Sequence, residues 1–287
     1  MPTDKPSLSN TNTLLQNHSS KANGETSWRQ RAASELEKVV DLFGSRQLPD
    51  LCAKVLVNAP GKPSSKWSFG NQLLMFLAGT TDARGFRQWN EAGRRVSRGA
   101  RAFWILGPVR KKVKKTILEE QGEEDSEVEI LVGFKPIPVF RYEDTTGQPL
   151  PAFQARDPPP LLDVAGKFGM KVQYERLAPG VYGAADHTNK TILLATEDWD
   201  TFFHELAHAI HRTFEPKTGH GQEPEAETIA QLVAATLARL YERPADNFSW
   251  SYIASYAQSN NPQKVGRLCM RVLDRTKKVL DLIYTPN

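Results

Sequence analysis

Cysteine is nearly absent from this sequence, with Cys52 and Cys269 the only two in 287 residues. They lie far apart in apolar, helix-like surroundings, which excludes both a disulfide framework and a Cys-x-x-Cys metal site. Two buried thiols in a reducing compartment are expected. Long hydrophobic runs are lacking too, and no stretch approaches the roughly 18 consecutive apolar residues that a membrane span needs. The N-terminal segment does not show the charged-then-apolar layout of a secretory signal, so a cytoplasmic protein with no membrane partner is expected. No internal repeat, helix-turn-helix or zinc-finger pattern occurs, which removes solenoids and the common sequence-reading DNA modules.

What remains is the composition of a soluble folded chain, with 39% hydrophobic and 24% charged residues. The length exceeds what one small core fills and predicts two domains in an α+β chain. Residues 1–26, rich in Ser, Thr, Asn and Lys, are expected to be a disordered tail. A first domain over 27–147 combines helices with an antiparallel sheet. In it Leu36, Val39, Val40, Leu42 and Phe43 recur at helical spacing up to Gly44, with Pro49 as a stop. A second helix covers 67–77 and a short third carries Phe86, Trp89 and Ala92. Strands are expected over 102–106, 129–134 and 137–142, with the acidic stretch from Glu119 to Glu129 as a solvated hairpin insertion. Five prolines between Gln148 and Pro160 mark a linker. The second domain, 161–287, then reads as a helix over 161–168, strands over 170–176, 180–184 and 191–195, and helices over 198–214, 224–241, 249–258 and 262–283.

Charge is unevenly distributed. The net formal charge is only +4, yet eleven basic residues and one acid, Glu91, lie between Arg84 and Lys115. Aromatic residues interleave with them. Cations that follow a phosphate backbone, together with aromatic faces for base stacking, are the arrangement used to hold single strands. The candidate contacts are Trp67, Asn71, Arg87, Trp89, Arg94, Arg95, Arg98, Arg101, Trp104, Lys111 and Lys112. So dense a cluster of one sign repels itself unless a polyanion is present.

The second half contains His204-Glu205-Leu206-Ala207-His208. On a helix, residues four apart share a face, so both imidazoles reach one ion while Glu205 emerges beside the first, placed to take a proton from water. Two ligands do not complete a catalytic zinc site, which takes three and keeps a position open. Downstream, Glu223, Glu225 and Glu227 each qualify as the third. Glu223 stands at the helix start, where capping explains an acid, so Glu227 is preferred, with Gln231 one turn later to hydrogen-bond a ligand histidine. The segments 180–187 and 191–195 are expected to flank the site as strands along which a peptide lies extended. Tyr182 is a candidate to stabilise an oxyanion, whereas Asp186, His187 and His211 read as a turn residue, a surface histidine and a solvent-facing histidine.

Both halves also resemble a known family. Phe69-Gly-Asn-Gln-Leu-Leu, Gly85-Phe-Arg-Gln-Trp-Asn, Val96-Ser-Arg-Gly-Ala-Arg-Ala and Pro138-Val-Phe-Arg-Tyr resemble the N-terminal single-stranded-DNA-binding domain of ArdC-like antirestriction proteins. His204-Glu-Leu-Ala-His208, followed by Glu227-Thr-Ile-Ala-Gln231-Leu, resembles the zincin-like metallopeptidase domain that follows it there. The family often has Glu where this chain has Gln231. The resemblance implies a protein of a plasmid, phage or other mobile element that protects incoming DNA from host restriction. It further implies Zn2+ at His204, His208 and Glu227, single-stranded DNA as partner, and a host restriction or DNA-handling protein as substrate. Two other readings fit the same residues. One is a non-catalytic DNA-binding protein with a structural or vestigial zinc, the other a DNA-targeted repair protease.

Overall fold

The computed structural model of the protein describes residues 11–57, 62–119, 122–151, 161–175, 177–178, 180–216, 223–243 and 250–284. In chain order the elements are α1 (Thr11–Gly44), α2 (Leu48–Val57), α3 (Phe69–Leu77), β1 (Ala83–Arg84), α4 (Phe86–Glu91), β2 (Arg94–Val96), β3 (Phe103–Glu119), β4 (Gly122–Arg141) and β5 (Thr145–Gly147). After residues 152–160, outside the described set with most of the expected linker, come α5 (Leu161–Lys167), β6 (Lys171–Tyr174), β7 (Gly183–Asp186) and β8 (Thr191–Leu194). The chain then closes with α6 (Trp199–Phe214), α7 (Glu223–Leu240), α8 (Ser251–Ser259) and α9 (Pro262–Tyr284). The architecture is α+β, as expected, and no described helix is long and apolar enough to cross a membrane.

Several boundaries differ from the sequence reading, each for a local reason. Helix α1 begins at Thr11 rather than near Trp28, so the segment read as a disordered tail is helical from there. Once Ala32, Leu36, Val39 and Phe43 fix the packed turns, each added turn extends an existing helix without a new nucleation cost. Pro49, read as a stop, instead sits in the first turn of α2, where its missing N–H costs nothing and its fixed φ suits a helix start. Three expected strands are two long ones. Strands β3 and β4 pair antiparallel from Phe103 opposite Val139 to Glu119 opposite Gly122, with one irregularity at Val109/Arg110. Pro136 and Pro138, two residues apart on β4, leave their missing N–H groups on one edge, which is how a strand carries two prolines.

The hairpin also accounts for the two charge blocks. The lysine- and arginine-rich half of β3 faces the acidic half of β4, and where side chains are described Arg110 pairs with Glu129 at 3.8 Å and Lys112 with Glu127 at 3.3 Å. The block that seemed to demand a polyanion is thus partly neutralised by its own return strand.

One hydrophobic core joins helices from both halves. It includes Leu36, Val39 and Phe43 of α1, Leu73 of α3, Phe203 and Leu206 of α6, Leu232 and Val233 of α7, and Leu268 and Leu273 of α9. Each such side chain, fully buried, contributes about 1.5–3 kcal/mol. Helix α9 lies against α1 and α3, and α2 lies against α7. The approach of α9 to α1 is close enough that a Cβ on Gly266 would stand 2.9 Å from Leu36 Cδ2. The core therefore does not divide at the proline-rich segment. Helix α9 buries residues on more than one side, and an apolar surface that wide needs neighbours from the first half.

Around the shared core stand small sheets. Strand β4 lies between β1 and β3, β2 pairs with β5, and β6-β8-β7 form a mixed sheet with β6 parallel and β7 antiparallel to β8. Strand β7 is the edge of that last sheet and runs beside α6.

Candidate metal centre

Helix α6 buries Phe202, Phe203, Leu206, Ala207, Ala209 and Ile210. That leaves His204, Glu205 and His208 only partly covered, on the side facing β7 and α7. Across from them α7 presents Glu227, fixed by Ile229, Ala230, Leu232 and Val233 in the core. The three donors converge. His204 Nε2 lies 3.1 Å from His208 Nε2 and 3.1 Å from Glu227 Oε1, and His208 Nε2 lies 3.2 Å from Glu227 Oε2. An ion about 2.0–2.1 Å from tetrahedral ligands holds them about 3.3–3.4 Å apart, so the donors stand close to the spacing a divalent ion requires. Imidazole, imidazole and carboxylate form a donor set that several divalent metals accept, zinc among them. Among the described residues this is the one group of its kind.

Electrostatics match the geometry. Hydrogen bonds from His204 and His208 hold the Glu227 carboxyl well below the usual carboxylate range. Burial lowers the pKa of His204, but Glu227 and Glu205 outweigh it and the net shift is upward. For Glu205 burial dominates and raises the pKa, against the pull of both histidines, which moves it towards the range useful to a general base. The main chain of β7 at Ala185 offsets that rise slightly. Gly183 makes the approach possible, since a Cβ there would meet Thr201 Cγ2 at 2.6 Å and Glu205 Cγ at 2.9 Å.

Of the three glutamates, Glu227 faces the histidines. Glu225 is taken by Arg271, at 2.7 Å and 2.6 Å, and the side chain of Glu223 lies outside the described set. Gln231 supports the carboxylate rather than an imidazole, donating from Nε2 to Glu227 Oε1 at 3.4 Å, because residues four apart on α7 reach each other before they reach α6. His211 is not solvent-facing. It is 7% exposed and paired with Glu215 at 2.9 Å, and burial pushes its pKa down. Arg275 Nη2 in turn holds Glu215 at 2.7 Å and draws its pKa down to about 2. Asp186 is the turn residue expected, accepting from Thr188 N and Asn189 N.

Two clefts open on either side of the triad, and both are lined by Glu205 and Glu227. One, of 600 Å³, extends past His208, Arg212 and Arg271. The other, of 510 Å³, extends past Tyr182, Thr201 and Ala234. Both touch the edge strand β7, the first at Ala185 and the second at Gly183.

The nucleic-acid candidates are dispersed. Asn71 is buried and brackets β3, donating to Leu106 O at 2.9 Å and accepting from Leu106 N at 2.8 Å. Trp89 is fully buried, its Nε1 donating to Phe140 O at 3.0 Å and Arg84 lying 4.7 Å over its ring. Arg94 is 6% exposed and serves the β2–β5 corner. It donates to Thr145 Oγ1 at 2.8 Å, Thr145 O at 2.9 Å and Gly147 O at 3.2 Å, and to Gln148 O, over the ring of Tyr142. These three are structural, because each spends its polar atoms on main chain that arrives from far along the sequence. Arg87, Arg95, Arg98, Arg101, Lys111 and Lys112 are exposed, whereas Trp67 and Trp104 are partly covered, the latter by Arg31 at 4.4 Å from its ring. Arg94→Met is expected to cost about 2–3 kcal/mol in a denaturant melt, the worth of charged hydrogen bonds left unmade. Arg95→Ala is expected to stay within about 0.5 kcal/mol of the parent. Equal losses would show that Arg94 is no clamp.

No family model matches the sequence, and no curated protein matches it. Among solved structures, the fold is similar to the antirestriction protein ArdC from plasmid R388. The metal-free form gives a TM-score of 0.50 at 16% identity, with 83% of this chain and 97% of that chain covered. The Mn(II)-bound form gives 0.51 at 18% identity, covering 86% and 96%.

Proposed function

From a fold shared with a plasmid antirestriction protein that has also been seen with Mn(II) bound, we propose that this chain is an antirestriction protein of a mobile element. In this reading it is a divalent-metal, zinc-type metallopeptidase that binds single-stranded DNA and protects incoming DNA from host restriction. The observation that carries the reading is the convergence of His204, His208 and Glu227 with Glu205 beside them, where two clefts meet the edge strand β7. His204, His208 and Glu227 would hold the ion. When bound, it supplies Lewis acidity towards a scissile carbonyl and makes nearby water easier to deprotonate.

The chain's own residues do the rest. Strand β7, an edge of its sheet among the described residues, would take an extended peptide by main-chain pairing. Glu205, close against that strand at Gly183, accepts a proton from water and returns it to the leaving nitrogen. Tyr182, 66% exposed at the mouth of the smaller cleft, is the side chain best placed to meet a developing oxyanion. The substrate is a host restriction or DNA-handling protein, and the single strand brings the enzyme to the site of DNA entry.

The test is a plasmid-entry assay in a restricting host, run beside metal analysis of the purified protein. Wild type is expected to carry about one divalent ion per chain and to raise recovery of unmodified plasmid, with His204→Ala losing both. Metal-free wild type, or protection unchanged in His204→Ala, would leave DNA coating as the better account.

A further inference from the structure

We propose that single-stranded nucleic acid binds in the cleft between α9 and the β3–β4 hairpin, held by Lys264 and Arg267, rather than on the arginine-rich surface around Arg95. This rests on the reading of the chain as a single-strand binder. The cleft measures 1020 Å³, and five basic side chains (Arg110, Lys264, Arg267, Arg271, Arg275) line it against one carboxylate, Asp274. That carboxylate is engaged locally, accepting from Phe69 N at 3.3 Å.

Four of the cations come from one helix. Lys264, Arg267, Arg271 and Arg275 are spaced three, four and four residues apart, which aligns them along one face of α9. The rest of the helix buries Val265, Leu268, Val272, Leu273 and Val279 in the core, so the stripe is rigidly mounted. Arg271 and Arg275 are engaged with Glu225 and Glu215. Lys264 and Arg267 have no carboxylate partner among the described residues, and the Arg267 guanidinium donates to Val132 O at 3.5 Å. Arg110, on the opposite wall, is 61% exposed and only loosely paired at 3.8 Å.

Aromatic faces accompany the charge, as Trp67, Phe134 and Tyr256 line the same cleft and are only partly buried. A groove with unpaired cations on one wall and aromatic rings within it suits a chain of phosphates carrying stackable bases. An apolar or acidic peptide would leave the cations or the rings unused. Arg271 and Arg275 also line the metal cleft, so the two sites adjoin through the same two side chains.

The experiment is anisotropy of a fluorescein-labelled oligothymidylate against salt concentration. It compares wild type, the double variant Lys264→Ala/Arg267→Ala, and the triple variant Arg95→Ala/Arg98→Ala/Arg101→Ala. Thermal melts establish that each variant is folded. The double variant is expected to lose at least tenfold in affinity and to flatten the logarithmic salt dependence by about 1.4, from two lost phosphate contacts at about 0.7 each. The triple variant is expected to bind within about threefold of wild type, the residue of long-range attraction. Wild-type affinity in the double variant with loss in the triple would overturn the proposal and leave single-strand binding intact. No binding by wild type would remove the single-strand reading and this site with it.

Discussion

Glu205→Gln is expected to lower peptide cleavage by about 10²–10⁴-fold, the range that a positioned general base contributes. The amide keeps the size and most of the packing of the carboxylate but cannot take a proton. It also keeps the contacts that fix the helix, since Glu205 is not among the three converging donors. Metal content and melting temperature should therefore stay at wild-type values while turnover disappears. Oligonucleotide affinity should not move either, because Glu205 lines neither wall of the α9 cleft. Undiminished cleavage in the variant would sink the assignment of Glu205 as base. Loss of metal together with activity would place Glu205 among the ligands instead and would require one of His204, His208 or Glu227 to be released. In the plasmid-entry assay the same variant separates proteolysis from coating, because only a catalytic mechanism needs the proton transfer.

Removing a ligand should act on stability as well as on chemistry. An ion that binds the folded chain and not the unfolded one stabilises it by RT ln(1 + [L]/Kd), about 2.7 kcal/mol at a hundredfold excess over Kd. His208→Ala and Glu227→Ala are each expected to lose the ion, and a chelator should lower the melting temperature of wild type without affecting either variant. The contrast isolates the metal from packing, since any cavity left by the substitution is present with and without chelator. Glu227→Ala carries a further expectation. Without that carboxylate no other described acid of α7 reaches His204 and His208, so the variant should bind no ion even at high concentration, whereas Glu225→Ala should bind normally because Glu225 is committed to Arg271. Metal retained by Glu227→Ala and lost by Glu225→Ala would reverse the choice of third ligand.

Much of the site was legible because it depends on short-range geometry. The spacing of His204 and His208 is one helical turn wherever the helix lies, and the apolar residues around it state that it is a core helix. Glu227 was reachable by the same means, from an acidic start and apolar continuation of the next helix. The partner of Gln231 was not, since a side chain at that position can reach either its own helix or the facing one, and only the observed packing of α6 against α7 decides between them.

Charge was the least legible property. Arg94 and Arg95 are adjacent in sequence and both look like surface arginines, yet Arg94 is buried and Arg95 exposed, because β2 turns alternate side chains to opposite faces and Thr145 arrives on one of them. Trp89 on α4 and Asn71 on α3 are buried as well, each satisfied by main chain from residues far along the sequence, Phe140 and Leu106. Conversely, the basic stripe of α9 stands in the sequence at helical spacing, but nothing there shows that a hairpin from the first half forms the opposite wall.

The sequence by itself determined which residues form helices and strands through most of the chain, the α+β class, the two buried thiols and the turn of α6 that puts His204 and His208 on one face, since these follow from periodicity and local spacing. Tertiary structure alone decided that helices of both halves share one core, that Arg94 is buried against distant main chain, and which basic side chains meet across the α9 cleft. Burial and ion pairing are set by neighbours distant in sequence, so a residue's type and spacing fix what it can do, and only the fold fixes what is left for it to meet.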